Sequence, residues 1–554
     1  EKIRQWTANA PKRAPESNAL LMCDSGDDNS HIHFICKMAM AIDALSAGST
    51  TVTKAYPQLH EFAINSKSDM PAIRKTITTA LTHGTGLMLY AGHCDVTRLG
   101  QEYIWRTSDA TTIHTPVPVA MLATCDALSA DRHSTDIARA MLFNPRGGAM
   151  GVIGACRAVL QPFNEEFAAD VVKALYTADK PLNLGDLYHN ARTSAMARAI
   201  AASNLRLAVN TMAYALAGDP AIPIYNPHIS ITATTADNGL VAGGLNRISG
   251  GTDPGIDAVE VTVYAAPDTV LTYARKPYAA EPVRIDSRVL TRTTIAVNDG
   301  KFDSEFYLPA SAKTAGPLRI TLHASGNKGF ASGVISDVAV NETSELNDSI
   351  RNIAPEITEF TVSESGRSTV SVHAVIDGGP TGVAMTGQPG MITHMKLDKD
   401  KIMPGTDASL LPMAGGKAEL DYTIEDVTDG NHTLTLTTYT AAGAVASATT
   451  EFTVVNVDNI TIDTDSAAVA NEAIINVNPA LPDDTESELM ITDMNGTAVL
   501  YVPQPNLPFI WDLTNNDGEP VATGRYQVTI MTRRGHRHGA SSRATVTVIR
   551  DHNN

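Results

Sequence analysis

Leu89-Tyr90-Ala91-Gly92-His93 and Leu122-Ala123-Thr124-Cys125-Asp126 are the two stretches that decide how this 554-residue chain is read. Each is an apolar run that ends in a reactive side chain. The runs Gly86 to Ala91 and Val117 to Thr124 are short and continuously apolar, the pattern of strands buried on both faces of a sheet. Two parallel neighbours in one open sheet put His93 and Cys125 side by side at their carboxyl ends, the edge where such sheets bind ligands. An imidazole beside a thiol is the minimal equipment for nucleophilic catalysis, because the base lowers the cost of making the thiolate.

Working outward, the first 226 residues alternate strand and helix. Ala19 to Met22 reads as a strand, His31 to Ala47 as a helix, and Met70 to Leu81 as a helix with Asp69 as N-cap and Pro71 in its first turn. Ser134 to Phe143 is a helix stopped by Asn144-Pro145. Ala149 to Ala155 is a further buried strand, and Phe163 to Tyr176 and Leu184 to Ala201 are helices. Gly218-Asp219-Pro220 reads as a turn before the last strand. This order predicts an α/β unit with a mostly parallel sheet and helices on both faces. From Pro227 the period changes to two. Val259 to Tyr264, Leu318 to Ala324, Thr433 to Tyr439 and Arg525 to Met531 read as strands of β-sandwiches. The composition breaks divide the chain into 1–226, 227–345, 346–456 and 457–554.

Charge follows the same division. The net formal charge is −18. Residues 1–226 carry 20 basic and 20 acidic side chains, which leaves 22 basic against 40 acidic in the β-rich remainder. An acidic β-rich half argues against a nucleic-acid partner and against an anionic membrane surface. No apolar run reaches the ~20 residues a spanning helix needs. The sequence opens Glu1-Lys2-Ile3 without a leader, as expected of a processed or trimmed chain.

All five cysteines (23, 36, 94, 125 and 156) fall in the first 160 residues, without a C-x-x-C pair or regular spacing. That pattern argues against a disulfide framework and against a zinc knuckle, and an odd count leaves a free thiol. No metal or other cofactor is expected. In the site inferred here, Cys125 attacks a peptide carbonyl and His93 acts first as base and then as acid. A carboxylate is needed to orient His93. Asp24, directly after the first strand, is the first choice, with Asp27, Asp28 and Glu102 as alternatives. His31 and His33 lie two apart, so on a helix they cannot face one ligand, and they read as surface residues. Arg157 reads as a specificity residue or a paired edge Arg, and Trp105 as a cleft wall or a core residue.

The ordered blocks Cys23-Asp24-Ser25-Gly26-Asp27-Asp28, Tyr56-Pro57, Tyr90-Ala91-Gly92-His93, Ala123-Thr124-Cys125, Asn144-Pro145-Arg146-Gly147-Gly148-Ala149 and Ala217-Gly218-Asp219-Pro220-Ala221 resemble the gingipain family of clan CD cysteine peptidases. The segments after Pro227, with Asn352-Ile353-Ala354-Pro355-Glu356-Ile357, Trp511-Asp512 and Gly524-Arg525-Tyr526, resemble its branch of C-terminal signal peptidases and sortases of type IX secretion. The resemblance implies a caspase-like peptidase domain followed by immunoglobulin-like sandwiches, with an amino-terminal region missing. It implies removal of C-terminal sorting domains from type IX cargo and acyl transfer to water or to anionic lipopolysaccharide. It also implies a place at the outer-membrane surface of a Gram-negative, Bacteroidetes-like cell, held by a β-barrel anchor.

In the family the oxyanion donors are the N–H of the nucleophile, here Cys125, and of the residue after the His, here Cys94 where the family has Gly. A residue other than Gly at that position is strained if φ must be positive. Three outcomes are open: a tolerated substitution, a site weakened or gated by a Cys94–Cys125 disulfide, or a degenerate copy that only binds cargo. A secreted gingipain-like protease is the remaining alternative.

Overall fold

The computed structural model describes residues 2–4, 18–26, 29–60, 70–82, 84–113, 115–129, 136–145, 147–235, 239–274, 279–285, 288–326, 329–366, 369–388, 390–402, 410–424, 427–428, 430–454, 460–464, 467–468, 472–478, 480–481, 485–533 and 541–550. In the first part of the chain, β1 (Asn18–Cys23), β2 (Thr51–Ala55), β3 (Leu87–Ala91), β4 (Pro116–Ala123), β5 (Gly148–Ala155) and β6 (Tyr214–Gly218) build a six-stranded sheet. Its order is β2-β1-β3-β4-β5-β6. The first five strands are parallel and β6 runs antiparallel to β5. The turn at Gly218-Asp219-Pro220 therefore follows the last strand of the sheet instead of preceding it.

Strand alternation splits the apolar side chains between two cores. Leu21, Leu89, Met121 and Ile153 point to one face, covered by α1 (Ser30–Leu45), α4 (Gln161–Tyr176) and α5 (Leu184–Ala201). Leu20, Met88, Leu122 and Val152 point to the other, covered by α2 (Pro71–Thr82) and α3 (Ile137–Phe143). Burial on both faces is why these strands read as unbroken apolar runs. The helix ends follow local chemistry. Pro71 opens α2 without a wasted donor; Asp69, expected as its cap, lies outside the described residues. Asp136 caps α3 by accepting the Arg139 N–H at 2.7 Å. At the other end, Asn144 is buried and its Nδ2 donates to the Ala110 and Ile113 carbonyls. Gly148 follows with φ +73, where a Cβ would sit 2.3 Å from the Met141 carbonyl oxygen. That turn is structural, as its sequence suggests.

Three β-rich segments follow, each with two main sheets around its own apolar core and the first with two further two-stranded sheets. The first pairs a five-stranded sheet, which includes Ala258–Tyr264 and Leu318–Gly326, with a three-stranded one. The second has two four-stranded sheets. The last packs Trp511 against Tyr526 between sheets of three and five strands. The residues where the last boundary was expected, 456–457, lie outside the described residues.

The first β-rich segment is fastened to the α/β unit by polar groups. His323 is buried between Tyr225, whose hydroxyl is 3.0 Å from its Nδ1, and the Ser49 carbonyl, 2.9 Å from its Nε2. Arg319 donates to the Gly48 carbonyl beside it. The hairpin Asp268–Leu271/Pro282–Ile285 returns to the α/β unit and buries Val283 in its core. Burial lowers the His323 pKa from its ordinary value to about 4, against the opposing effects of Glu260 and of the Ser49 bond; Arg292 and Arg319 reinforce the shift.

A neutral buried imidazole stabilises the fold fully above the unfolded pKa near 6.5, and that contribution is lost as pH falls toward about 4. The loss is of order 3 kcal/mol. His323→Gln should lower the urea midpoint at pH 7.5 and flatten its decline between pH 6.5 and 4.5. A variant with the wild-type slope would remove His323 from the acid response.

Candidate active site

Cys23, Ala91 and Ala123 stand opposite one another at the ends of β1, β3 and β4. Asp24 is the next residue after β1. His93 and Cys125 each lie two residues past this row, on adjacent parallel strands, as the two apolar runs predict. His93 is exposed and Cys125 is half-buried.

Cys125 Sγ lies 3.4 Å from both the N and the O of Val159. The Val159 N–H donates toward sulfur, and a backbone donor at that place favours the thiolate. Asp126, the next residue, has φ +51. A left-handed Asp directly after a thiol is a strained turn held by its surroundings, here by its N–H to the Arg157 carbonyl at 3.4 Å. Arg157 itself is exposed.

Asp24 is 1 % exposed and organises the edge. Its Oδ2 accepts the backbone N–H of His93 at 2.7 Å, and its Oδ1 is 2.6 Å from Nδ1 of His31. Its carbonyl accepts Nε2 of the buried Gln58 at 2.9 Å. The expectation that Asp24 orients the His93 ring is corrected in kind: the carboxylate holds the His93 main chain, and the imidazole it binds is that of His31. His31 is correspondingly not a surface residue. It is buried on the first turn of α1, with its ring edge-on to His93 at 5.0 Å between centroids. His33, one face away, is the exposed member of the pair and lies 3.7 Å from Glu281.

Glu102 is also buried, and it accepts the Ser25 hydroxyl. Asp27 and Asp28 lie outside the described residues. Trp105 is fully buried in the core and does not wall the cleft.

Gly92 is required by its neighbours. A Cβ there would lie 2.4 Å from the Tyr90 hydroxyl and 2.7 Å from Cγ of Asp24. The Tyr90 hydroxyl donates to the His93 carbonyl at 2.5 Å. Burial first, then the charge of Asp24, pushes its pKa well up, so it remains a donor.

Cys94 is extended. It pairs with Leu99 in a small hairpin and is not among the residues with positive φ. The backbone objection to a residue other than Gly after His93 is therefore lifted. All five cysteines are free thiols, so the Cys94–Cys125 disulfide is not formed. Burial, with Asp95 next in effect, pushes the Cys94 thiol up to about 12. Cys36 is raised to about 11 and Cys23 well above its ordinary value, both by burial first. These three thiols stay protonated near neutral pH. Sequence reasoning missed His31, Gln58 and Val159, because a buried polar pair leaves no periodic signal.

Residues 1–225 match the family model of peptidase family C25. No protein of curated function matches the sequence. Among solved structures, that of dimeric latent PorU from Porphyromonas gingivalis is 18 % identical, with 72 % of this chain and 41 % of that one covered and a TM-score of 0.28. The complex of Porphyromonas gingivalis RgpB pro- and mature domains is 14 % identical, with 62 % and 73 % covered and a TM-score of 0.34. The chain thus spans 41 % of the length of the PorU structure.

Asp24→Asn should cost about 2–3 kcal/mol in chemical denaturation, because an amide turns a donor toward one of two buried donors. Cys94→Gly should leave the alkylation rate of Cys125 within about twofold, since φ at Cys94 carries no strain to relieve. A large change in that rate would give the Cys94 side chain a role of its own.

Proposed function

We propose that residues 1–225, which match the family model of peptidase family C25, form a cysteine peptidase domain, and that the chain is an endopeptidase and transpeptidase acting on the C-terminal sorting domains of type IX cargo. The observation that carries the catalytic part is the equal reach of His93 and Cys125 past one row of the parallel sheet. In this reading His93 takes the Cys125 proton as sulfur attacks the scissile carbonyl. The carbonyl π electrons move to oxygen, and the backbone N–H groups of Cys94 and Cys125 receive the oxyanion. Collapse expels the amine, which takes the proton from His93 and leaves a thioester on Cys125. Water or an acceptor amine then attacks the thioester with His93 again as base, and the acyl group leaves sulfur.

Asp24 acts here as a positioning residue. By binding the His93 main chain it fixes where the ring begins, and by binding His31 it ties α1 to the same side chain. The tolerated-substitution reading of Cys94 fits its extended backbone, which weighs against a degenerate binding-only copy.

The finer reading rests on the resemblance of the six ordered blocks and of the β-rich segments after Pro227. It assigns cargo with C-terminal sorting domains as substrate and anionic lipopolysaccharide as acyl acceptor. It also assigns a cell-surface location, with an outer-membrane β-barrel protein as anchor. No helix among the described residues is long and apolar enough to cross a membrane.

Incubation with a cargo protein bearing its sorting domain should give a thioester adduct at Cys125 by mass spectrometry, and an added amine should appear on the new carboxyl terminus. Cys125→Ala should abolish both without loss of fold. His93→Ala should slow alkylation of Cys125 at pH 7 by at least tenfold. Equal alkylation rates would remove His93 from the mechanism, and cleavage without amine capture would reduce the reading to a hydrolase.

A further inference from the structure

Asp24, His31 and His93 each present one ligand atom, and these atoms lie within 4.8 Å of one another. Two of the three are buried on fixed elements, the end of β1 and the first turn of α1, and are already joined at 2.6 Å. The third is exposed, so the cluster opens to solvent. One carboxylate and two imidazoles are a donor set for Zn²⁺, whereas Ca²⁺ and Mg²⁺ require shells of oxygen. Tetrahedral bonds of about 2.0–2.1 Å place ligand atoms about 3.3 Å apart. Asp24 and His31 reach that spacing by separating by less than about 1 Å, and the exposed His93 ring by rotating inward.

The surrounding bonds suit this use. Asp24 keeps Oδ2 on the His93 N–H while Oδ1 turns to the ion. Gln58 holds the Asp24 main chain at 2.9 Å. Such outer partners fix ligand orientation and strengthen metal binding. Water would supply the fourth ligand of a tetrahedral ion.

We propose that Asp24, His31 and His93 form a zinc site that silences the peptidase while it is occupied. The inhibitory part rests on the reading of His93 as the base. A bound ion takes the imidazole lone pair, so His93 cannot accept the thiol proton. Removing the ion frees the lone pair and restores the base without any covalent change.

The test titrates ZnCl₂ into Cys125→Ala against a chromophoric chelator. One equivalent should bind at this site, and His31→Gln and His93→Gln should each weaken it at least tenfold. His373→Gln, which alters the exposed cluster His373, Glu419 and Asp421, should leave it unchanged. If His31→Gln fails to fold, His93→Gln carries the test, because its main-chain bond to Asp24 survives. In the chain with Cys125 intact, saturating Zn²⁺ should slow alkylation of Cys125 at least tenfold, EDTA should reverse this, and CaCl₂ should do nothing. Zinc uptake indifferent to His31→Gln and His93→Gln, or sensitive only to His373→Gln, would overturn the site. Uptake that depends on His31 and His93, in a chain whose metal-free alkylation ignores His93→Gln, would keep the ion site, overturn its inhibitory role and remove His93 as the base.

Discussion

A single buried carboxylate ties the active edge together. Asp24 follows β1, receives the main chain after β3 through the His93 N–H, and receives α1 through His31. Three elements thus meet at one side chain that is 1 % exposed. A buried charge is tolerated only when its lone pairs are filled, and the cost of leaving them unfilled is what makes the arrangement rigid. Gly92 exists in this setting because no Cβ fits between Asp24 and Tyr90.

The parallel sheet supplies the rest of the geometry. In-register pairing of Cys23, Ala91 and Ala123 brings three chain exits to one line. From such a line, side chains the same number of residues onward project over the same edge. The imidazole and the thiol need no dedicated contact to be neighbours, and the loops need only keep their short lengths. The peptide of Val159, next beyond β5, then closes the side of Cys125.

The first β-rich segment also acts on this edge. Its hairpin donates the Tyr273 N–H to the Gln58 carbonyl at 2.7 Å, and Gln58 in turn holds Asp24. The Ala279 carbonyl accepts Nδ2 of Asn29, directly before α1. Hydrogen bonds therefore run from the β-rich part through Gln58 to the main chain of Asp24, the residue whose carboxylate binds the His93 N–H. His323 and Arg319 anchor the same segment to the loop before β2. The α/β unit is braced by the segment that follows it.

The sequence by itself marked β1, β3, β4 and β5 but not β2 or β6, marked five of the helices, and placed His93 and Cys125 just past two of the strands, because burial on both faces writes an unbroken apolar run and helix ends write a local signature. Leu184–Ala201 matches its helix at both ends, and Asn144-Pro145 stops its helix as read. Only the tertiary structure decided that His31 is an inward partner of Asp24, that β6 turns antiparallel, that Trp105 is core and that Cys94 needs no positive φ. The place of His31 depends on its contact with Asp24, the direction of β6 on its pairing with β5, and the conformation of Cys94 on its pairing with Leu99. Periodicity records which face of an element is buried. It does not record which polar group waits on the other side, because one hydrogen bond between distant residues leaves no pattern in either segment.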